Sequence, residues 1–237
     1  MILSKGAHHD RASEYGPLRR RVTPEDVAAD LQESLETLGT DFVDVYMLHR
    51  DDRGRPVGPI MEALNEHLRA GRIRSFGASN WTTGRLDEAA RYAGEHGLEP
   101  FTSSSVQLSL APWTEAPWPE CESAHDRASL AWYERAGLPL FAWSPQAAGF
   151  FASAGDPDVV RVFDTAENRA RRDRAAALGA RLGVTTTQVA LAWVLHRPFP
   201  TFPIVGPRTL DELRESVEAL ELELSADDLA WMETSGQ

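Results

Sequence analysis

Three residues that close apolar runs carry the chemistry worth following in this sequence. In the run Phe42–Leu48, the side chains of Val43, Val45, Met47 and then His49 share one face by the period of two, and Phe42, Asp44, Tyr46 and Leu48 share the other. A histidine just beyond a buried strand can polarise or protonate a carbonyl oxygen; the plain alternative is a strand-end histidine bonded to its loop. Lys5 follows the short apolar run Ile2–Ser4. An ammonium group there can lower the pKa of a neighbouring phenol, and taken alone it reads as a surface lysine. Arg208 follows the run Thr201–Val205 and Gly206-Pro207, just ahead of a threonine-capped helix. Guanidinium plus helix N-terminus is an anion site, or else an arginine bonded to a loop carbonyl.

Lesser candidates sit at other strand ends. Ser79, Asn80, Gln107 and Ser144 offer amide and hydroxyl groups to a planar heterocycle, or are ordinary turn residues. Trp81, Trp113 and Trp143 form an apolar wall or part of the core. Asp51-Asp52 reads as a solvated pair of loop acids, His8-His9 as a polar loop without a third metal ligand, and Arg169, Arg171, Arg172 and Arg174 as an exposed helix face.

These residues need strands and helices to position them, and the two alternate along the chain. Ile2–Ser4, Phe42–Leu48, Ile73–Phe76, Ser104–Leu110, Leu138–Trp143 and Thr201–Val205 read as strands. Helices are marked by their caps and apolar spacing: Thr23-Pro24 to Gly39 with Val27, Leu31, Leu35 and Leu38 on one face; Ile60 to Leu68; Gly84–His96; Asp126–Ala136; Asn168–Leu182; and Val189–His196 after the capping box Thr185/Gln188. Thr209 with Glu212 caps a helix carrying Leu210, Leu213, Val217 and Leu220, and Ser225 with Asp228 opens the last.

Such alternation makes a parallel sheet covered by helices. The doubly wound dinucleotide fold requires G-x-G-x-x-G after its first strand, and no such run exists here. Polar residues at the exits of many different strands are the mark of the closed barrel instead. The expectation is therefore an α/β chain, a (β/α)8 TIM-type barrel lacking roughly the first two βα units, as a single domain over residues 1–237 that is incomplete at its N-terminus. Six strands are legible, and at roughly 31 residues per βα unit the missing pair amounts to about 60 residues.

Composition narrows the function. The 237 residues carry 24 basic and 36 acidic side chains, a net charge of −12, which argues against nucleic-acid or anionic-membrane partners. A hydrophobic share of 42% with 25% charged residues is that of a folded globular chain. Cys121 is the only cysteine, so an intramolecular disulfide and an all-cysteine metal site are excluded. No apolar run spans a bilayer and the first residues do not form a signal peptide, so a cytoplasmic location is expected.

Four stretches resemble the aldo/keto reductase family: Leu3-Ser4-Lys5-Gly6; Leu35 to His49 through Leu38-Gly39-Thr40-Asp41-Phe42-Val43-Asp44-Val45-Tyr46-Met47-Leu48; Gly71-Arg72-Ile73-Arg74-Ser75-Phe76-Gly77-Ala78-Ser79-Asn80; and Pro203-Ile204-Val205-Gly206-Pro207-Arg208-Thr209. The resemblance implies a barrel that holds NADPH at its C-terminal face and passes hydride to an aldehyde or ketone. The family uses an aspartate, tyrosine, lysine and histidine tetrad. Lys5 matches the lysine and His49 the histidine. Ser79, Asn80 and Gln107 match residues that hold the nicotinamide, and Trp143 the aromatic residue that stacks on it. Ser144, Pro145 and Gln146 match the loop along the pyrophosphate. Gly206, Arg208 and Thr209 match the adenosine 2′-phosphate site, which implies NADP rather than NAD. Glu212 and Ser216 stand where many members carry glutamine and asparagine, and Glu212 adds negative charge near a phosphate.

The family's aspartate and tyrosine have no match. Tyr15 lies in a loop after Lys5, and Tyr46 falls on the helix-facing side of its strand. Two readings follow: an NADPH-dependent reductase of a small carbonyl substrate, or a non-catalytic nucleotide-binding or remnant protein. An incomplete barrel would leave open strand edges and invite self-association. The segments Ala111–His125 and Gly149–Glu167, with Trp113, Trp118, Phe150 and Phe151, suggest an apolar substrate pocket.

Overall fold

A computed structural model describes residues 1–9, 19–152 and 155–234. Two compact units divide the chain, Met1–Ser105 and Val106–Gln237. In the first, β1 (Leu3–Gly6), β2 (Val43–Leu48), β3 (Ile73–Ser79) and β4 (Ser103–Ser105) alternate with α1 (Pro24–Leu38), α2 (Gly58–Arg69) and α3 (Thr83–His96). Each strand pairs in parallel with the next, which sets Lys5, Met47, Gly77 and Ser103 in one row.

Local chemistry fixes these elements. Thr23 caps α1 by accepting from the Asp26 N–H, Pro24 supplies the first helical φ, and Gly39 ends the helix in the left-handed region that costs an L-residue strain. Val27, Leu31 and Leu35 bury the inner stripe of α1, while Leu38, expected on the same face, is exposed. The parity of β2 holds as expected. Tyr46 turns to the helix layer, where its hydroxyl donates to the Val27 carbonyl of α1 at 3.4 Å.

In the second unit, β5 (Leu140–Trp143) pairs in parallel with β6 (Thr201–Ile204). Around them lie α4 (Arg127–Ala136), α5 (Pro157–Phe163), α6 (Ala166–Leu182), α7 (Thr186–Leu195), α8 (Leu210–Glu218) and α9 (Ala226–Glu233). The expected capping box at Thr185 and Gln188 is complete. α7 is buried almost all round, so its sequence shows no amphipathic period.

Several expectations need correction. The strand Ser104–Leu110 shrinks to β4, because Gln107 spends its backbone N–H on Glu122 and its carbonyl on Ala124. α5 was not legible inside Gly149–Glu167; Asp156 caps it and proline opens it. Glu212 does not complete a capping box with Thr209, since its carboxylate accepts from the Arg208 N–H instead. The arginines of α6 are not a uniformly exposed face: Arg174 donates to the Met232 and Thr234 carbonyls, Arg171 pairs with Glu167, and Arg172 stacks on Phe150. Leu210, Leu213 and Val217 of α8 are exposed rather than packed. Among the described residues, no helix is long and apolar enough to cross a membrane.

The end of β1 is held from below. A Cβ on Gly6 would lie 1.8 Å from Tyr46 Oη and 2.9 Å from Asp30 Cβ. The Gly6→Ala protein is expected to lose about 1–3 kcal/mol of stability in urea melts, and Tyr46→Phe in the same chain to recover part of it; a neutral Gly6→Ala would contradict this packing.

Candidate active site

β1 delivers Lys5 and then turns sharply. Ala7 adopts a left-handed φ of 60°, an uncommon conformation for alanine, and its N–H is caught by Asp30 Oδ2 of α1 at 2.7 Å. The turn brings His8 back over the end of β2, where its ring meets that of His49 edge-on at 4.6 Å between centroids. His8 Nδ1–H donates to the His9 carbonyl at 2.9 Å. His49 continues the β2 ladder, its N–H donating to the Gly6 carbonyl at 2.7 Å.

Lys5 reaches across the sheet. Its Nζ donates to Ser105 Oγ at 3.3 Å. The two residues stand three strand spacings apart, about 14 Å in a flat sheet, so the four strands of this unit must curl for a lysine side chain to span them. Gly77 keeps the row between them open, since a Cβ there would fall 2.5 Å from Ser103 Oγ. Burial and the charge of Arg50 lower the pKa of Lys5 to about 8. Burial, followed by the charges of Lys5 and Arg50, lowers that of His49 to about 3. His49 is thus a neutral imidazole at pH 7, able to offer an N–H to an oxygen but not to carry a charge.

Ser79 and Asn80 brace this corner. Ser79 Oγ donates to the Ser105 carbonyl, and Asn80, at a φ of 59° that asparagine tolerates, reaches the His49 carbonyl and Ser79 Oγ through Nδ2. Asp51 is not solvated as expected. It is 5% exposed and accepts both Nε and Nη2 of Arg85, each at 3.1 Å. Trp81 is core, its indole N–H donating to the Arg50 carbonyl. Tyr15 lies outside the described residues.

In the second unit, Ser144, Pro145, Gln146, Gly206, Arg208, Glu212 and Ser216 line one cleft of about 380 Å³. Sequence reasoning named all seven without any contact between them in view. Thr209 serves as the cap of α8. Ser144 itself is strained at a φ of 48°. Gly206 has open space where a Cβ would stand. Ser216 Oγ is committed to the Glu212 carbonyl, and Glu212 Oε1 lies 3.6 Å from Arg208 Nη2.

A second cleft of about 170 Å³ gathers Trp118, Trp143 and Phe163 with the aliphatic side of α5. Trp143 faces Trp113 and Trp118 at 5.6 and 6.1 Å between ring centroids. Phe150 and Phe151, expected at such a pocket, are instead in the core.

Two functional features escaped sequence reasoning. His125 is a half-buried, neutral imidazole whose pKa desolvation lowers to about 4. Its Nε2–H donates to Gln107 Oε1 at 2.5 Å; Gln107 Nε2 donates to Ser109 Oγ, and Ser109 to the Ala111 carbonyl. The chain of bonds ends on a pure acceptor, so it fixes which way the Gln107 amide points. Nothing in the local sequence marks His125. The other signal was available: Lys5 is the only lysine of the chain, every other basic side chain apart from histidine being arginine. A guanidinium stays charged, whereas a buried ammonium can titrate. With lysine labelled at 13Cε, the single Lys5 resonance is expected to titrate with a midpoint of about 8; a midpoint at the ordinary 10.5 would contradict the buried, cation-flanked site.

Comparison with known proteins gives the family of the chain. The family model of the aldo/keto reductases matches residues 1–236. An uncharacterized oxidoreductase, YrpG of Bacillus subtilis, is 31% identical over 205 residues, 84% of this chain and 60% of the relative. Versiconal hemiacetal acetate reductase of Aspergillus parasiticus is 30% identical over 84% of this chain and 59% of its own length, and a putative aryl-alcohol dehydrogenase of Schizosaccharomyces pombe is 27% identical over 98% and 65%. The chain thus spans about three fifths of the length of the curated relatives it matches. A crystal structure of the thermostable aldo-keto reductase Tm1743, solved with the inhibitor epalrestat, shares the fold with a TM-score of 0.68 at 23% identity, over 90% of this chain and 67% of that one. With parallel α/β architecture and a family match along nearly its whole length, this chain belongs to the aldo/keto reductase family.

Proposed function

We propose that this chain takes part in the NADPH-dependent reduction of an aldehyde or ketone to an alcohol. The observation that carries the reading is the meeting of Lys5 and a neutral His49 at the ends of β1 and β2. The cleft from Ser144 to Ser216 suits a dinucleotide: it offers serine, glutamine and arginine donors, and the missing Cβ of Gly206 leaves room for backbone approach. Bound there, the dinucleotide supplies the hydride.

The protein's own groups do the rest. The His49 N–H orients and polarises the carbonyl oxygen. The Lys5 ammonium favours the negative charge developing beside it, and the alkoxide left by hydride addition takes its proton from solvent water to give the alcohol. Trp143 would offer the nicotinamide an aromatic face, and Gln107 an amide held in one orientation. Arg208 takes the 2′-phosphate, opposed by the Glu212 carboxylate beside it.

A second reading, nucleotide binding without turnover, draws on the tyrosines described in the first unit. Tyr46 bonds to α1, where burial raises its phenol pKa, and Tyr92 bonds to Glu62. Neither serves as a proton donor to a carbonyl held by His49.

Fluorescence titration with NADPH and NADH, followed by NADPH oxidation with 4-nitrobenzaldehyde, tests both. Tighter NADPH binding with turnover that falls about 10²–10⁴-fold in His49→Ala is the expected result. Binding without turnover favours the second reading, and no binding of either dinucleotide overturns both. In Glu212→Gln, NADPH is expected to bind about two- to fivefold tighter and NADH unchanged; equal effects on the two would remove Glu212 from the phosphate site.

A further inference from the structure

Arg50 is a buried cation with no counter-ion among the described residues. It is 5% exposed, and its one side-chain hydrogen bond runs from Nη1 to the carbonyl of His49 at 2.9 Å. Its Nε is sealed from solvent with no acceptor. The adjacent carboxylate, Asp51, is already held at both oxygens by Arg85. Near Arg50 stand Lys5, whose bond is to Ser105, and His49; neither supplies negative charge.

An unpaired buried charge is costly, and proteins retain one where a ligand completes it. The unbonded donors specify the ligand. With Nη1 committed, the edge of the guanidinium left without an acceptor is the parallel pair Nε–H and Nη2–H. Two parallel N–H groups match the two oxygens of a carboxylate. The bond to the His49 carbonyl also ties the guanidinium to the residue that faces the reacting oxygen.

We propose that Arg50 receives a carboxylate of the substrate, so that the site selects carbonyl compounds bearing a carboxylate close to the reacting carbon, such as 2-oxo acids and carboxylated aldehydes. The inference rests on the reading of Lys5 and His49 as the reaction centre. An anion on Arg50 offsets the charge that disfavours the Lys5 ammonium, with Ser105, His49 and His8 as the other groups facing it. Binding therefore takes up a proton above pH 8, and affinity falls as the pH rises further.

The test uses the full chain with 13Cε-labelled lysine, benzoate as the anionic probe and benzamide as its neutral counterpart. Benzoate is expected to bind and to move the Lys5 titration upward, and benzamide to do neither. Arg50→Met is expected to weaken benzoate about tenfold or more, to abolish the shift, and to melt no lower than the parent, since it removes an unpaired buried charge. Arg50→Lys is expected to keep part of the affinity. Benzoate binding indifferent to Arg50→Met overturns the proposal, as does an Arg50→Met chain that melts far lower or fails to fold, which would make Arg50 a structural residue. NADPH titration of the unsubstituted chain reads the reductase assignment separately: loss of that binding with benzoate binding intact removes the assignment and leaves the anion site.

Discussion

Like charges crowded into low-dielectric surroundings are the constraint on which the first unit turns. Lys5 and Arg50 sit together at the strand ends, flanked by His8, His9 and His49, and among the described residues no carboxylate bonds to Lys5 or Arg50. Burial and mutual repulsion act in the same direction, so the ammonium becomes easy to deprotonate and the imidazole hard to protonate. A neutral histidine beside a titratable lysine is a consequence of burial first and of that crowding second.

Holding such a cluster requires stiff surroundings. Ala7 in the left-handed region, the Asp30 clamp on its N–H and the contact of Gly6 with Tyr46 set the direction in which β1 leaves the sheet. Asn80, also at positive φ, ties the ends of β2 and β4 across β3. Non-glycine residues at positive φ recur at Ser144, Ala147 and Ala148 beside the cleft of the second unit. Strain at these positions is sustained by well-packed elements beneath, among them the buried stripe of α1 and the nearly fully buried α7.

Much of this was legible in the residues. Helix caps announced themselves because Thr23, Thr185, Thr209 and Ser225 bond within their own first turn, a local interaction readable from spacing. The parity of β2 placed His49 and Tyr46 on opposite faces for the same reason. The cleft residues came from the family resemblance, and they meet around one cavity. What stayed hidden depends on distant partners. Asp51 looked solvated because Arg85 lies 34 positions away; His125 was silent because Gln107 is 18 away; and β4 ended early because a loop near Glu122 captured the backbone of Gln107. Arg50 was passed over because an arginine next to a histidine in a loop carries no sign of being unpaired.

The central claim is that burial, reinforced by the cationic cluster, keeps His49 neutral, and the imidazole itself reports on it most directly. In an NMR titration of the histidine rings, assigned by His49→Gln, the account expects the His49 resonance to remain that of a neutral ring down to about pH 5 and to begin protonating only below, toward a midpoint of about 3. A His49 midpoint near the ordinary 6.5 would show a ring that feels neither burial nor the charges of Lys5 and Arg50, and would contradict the account.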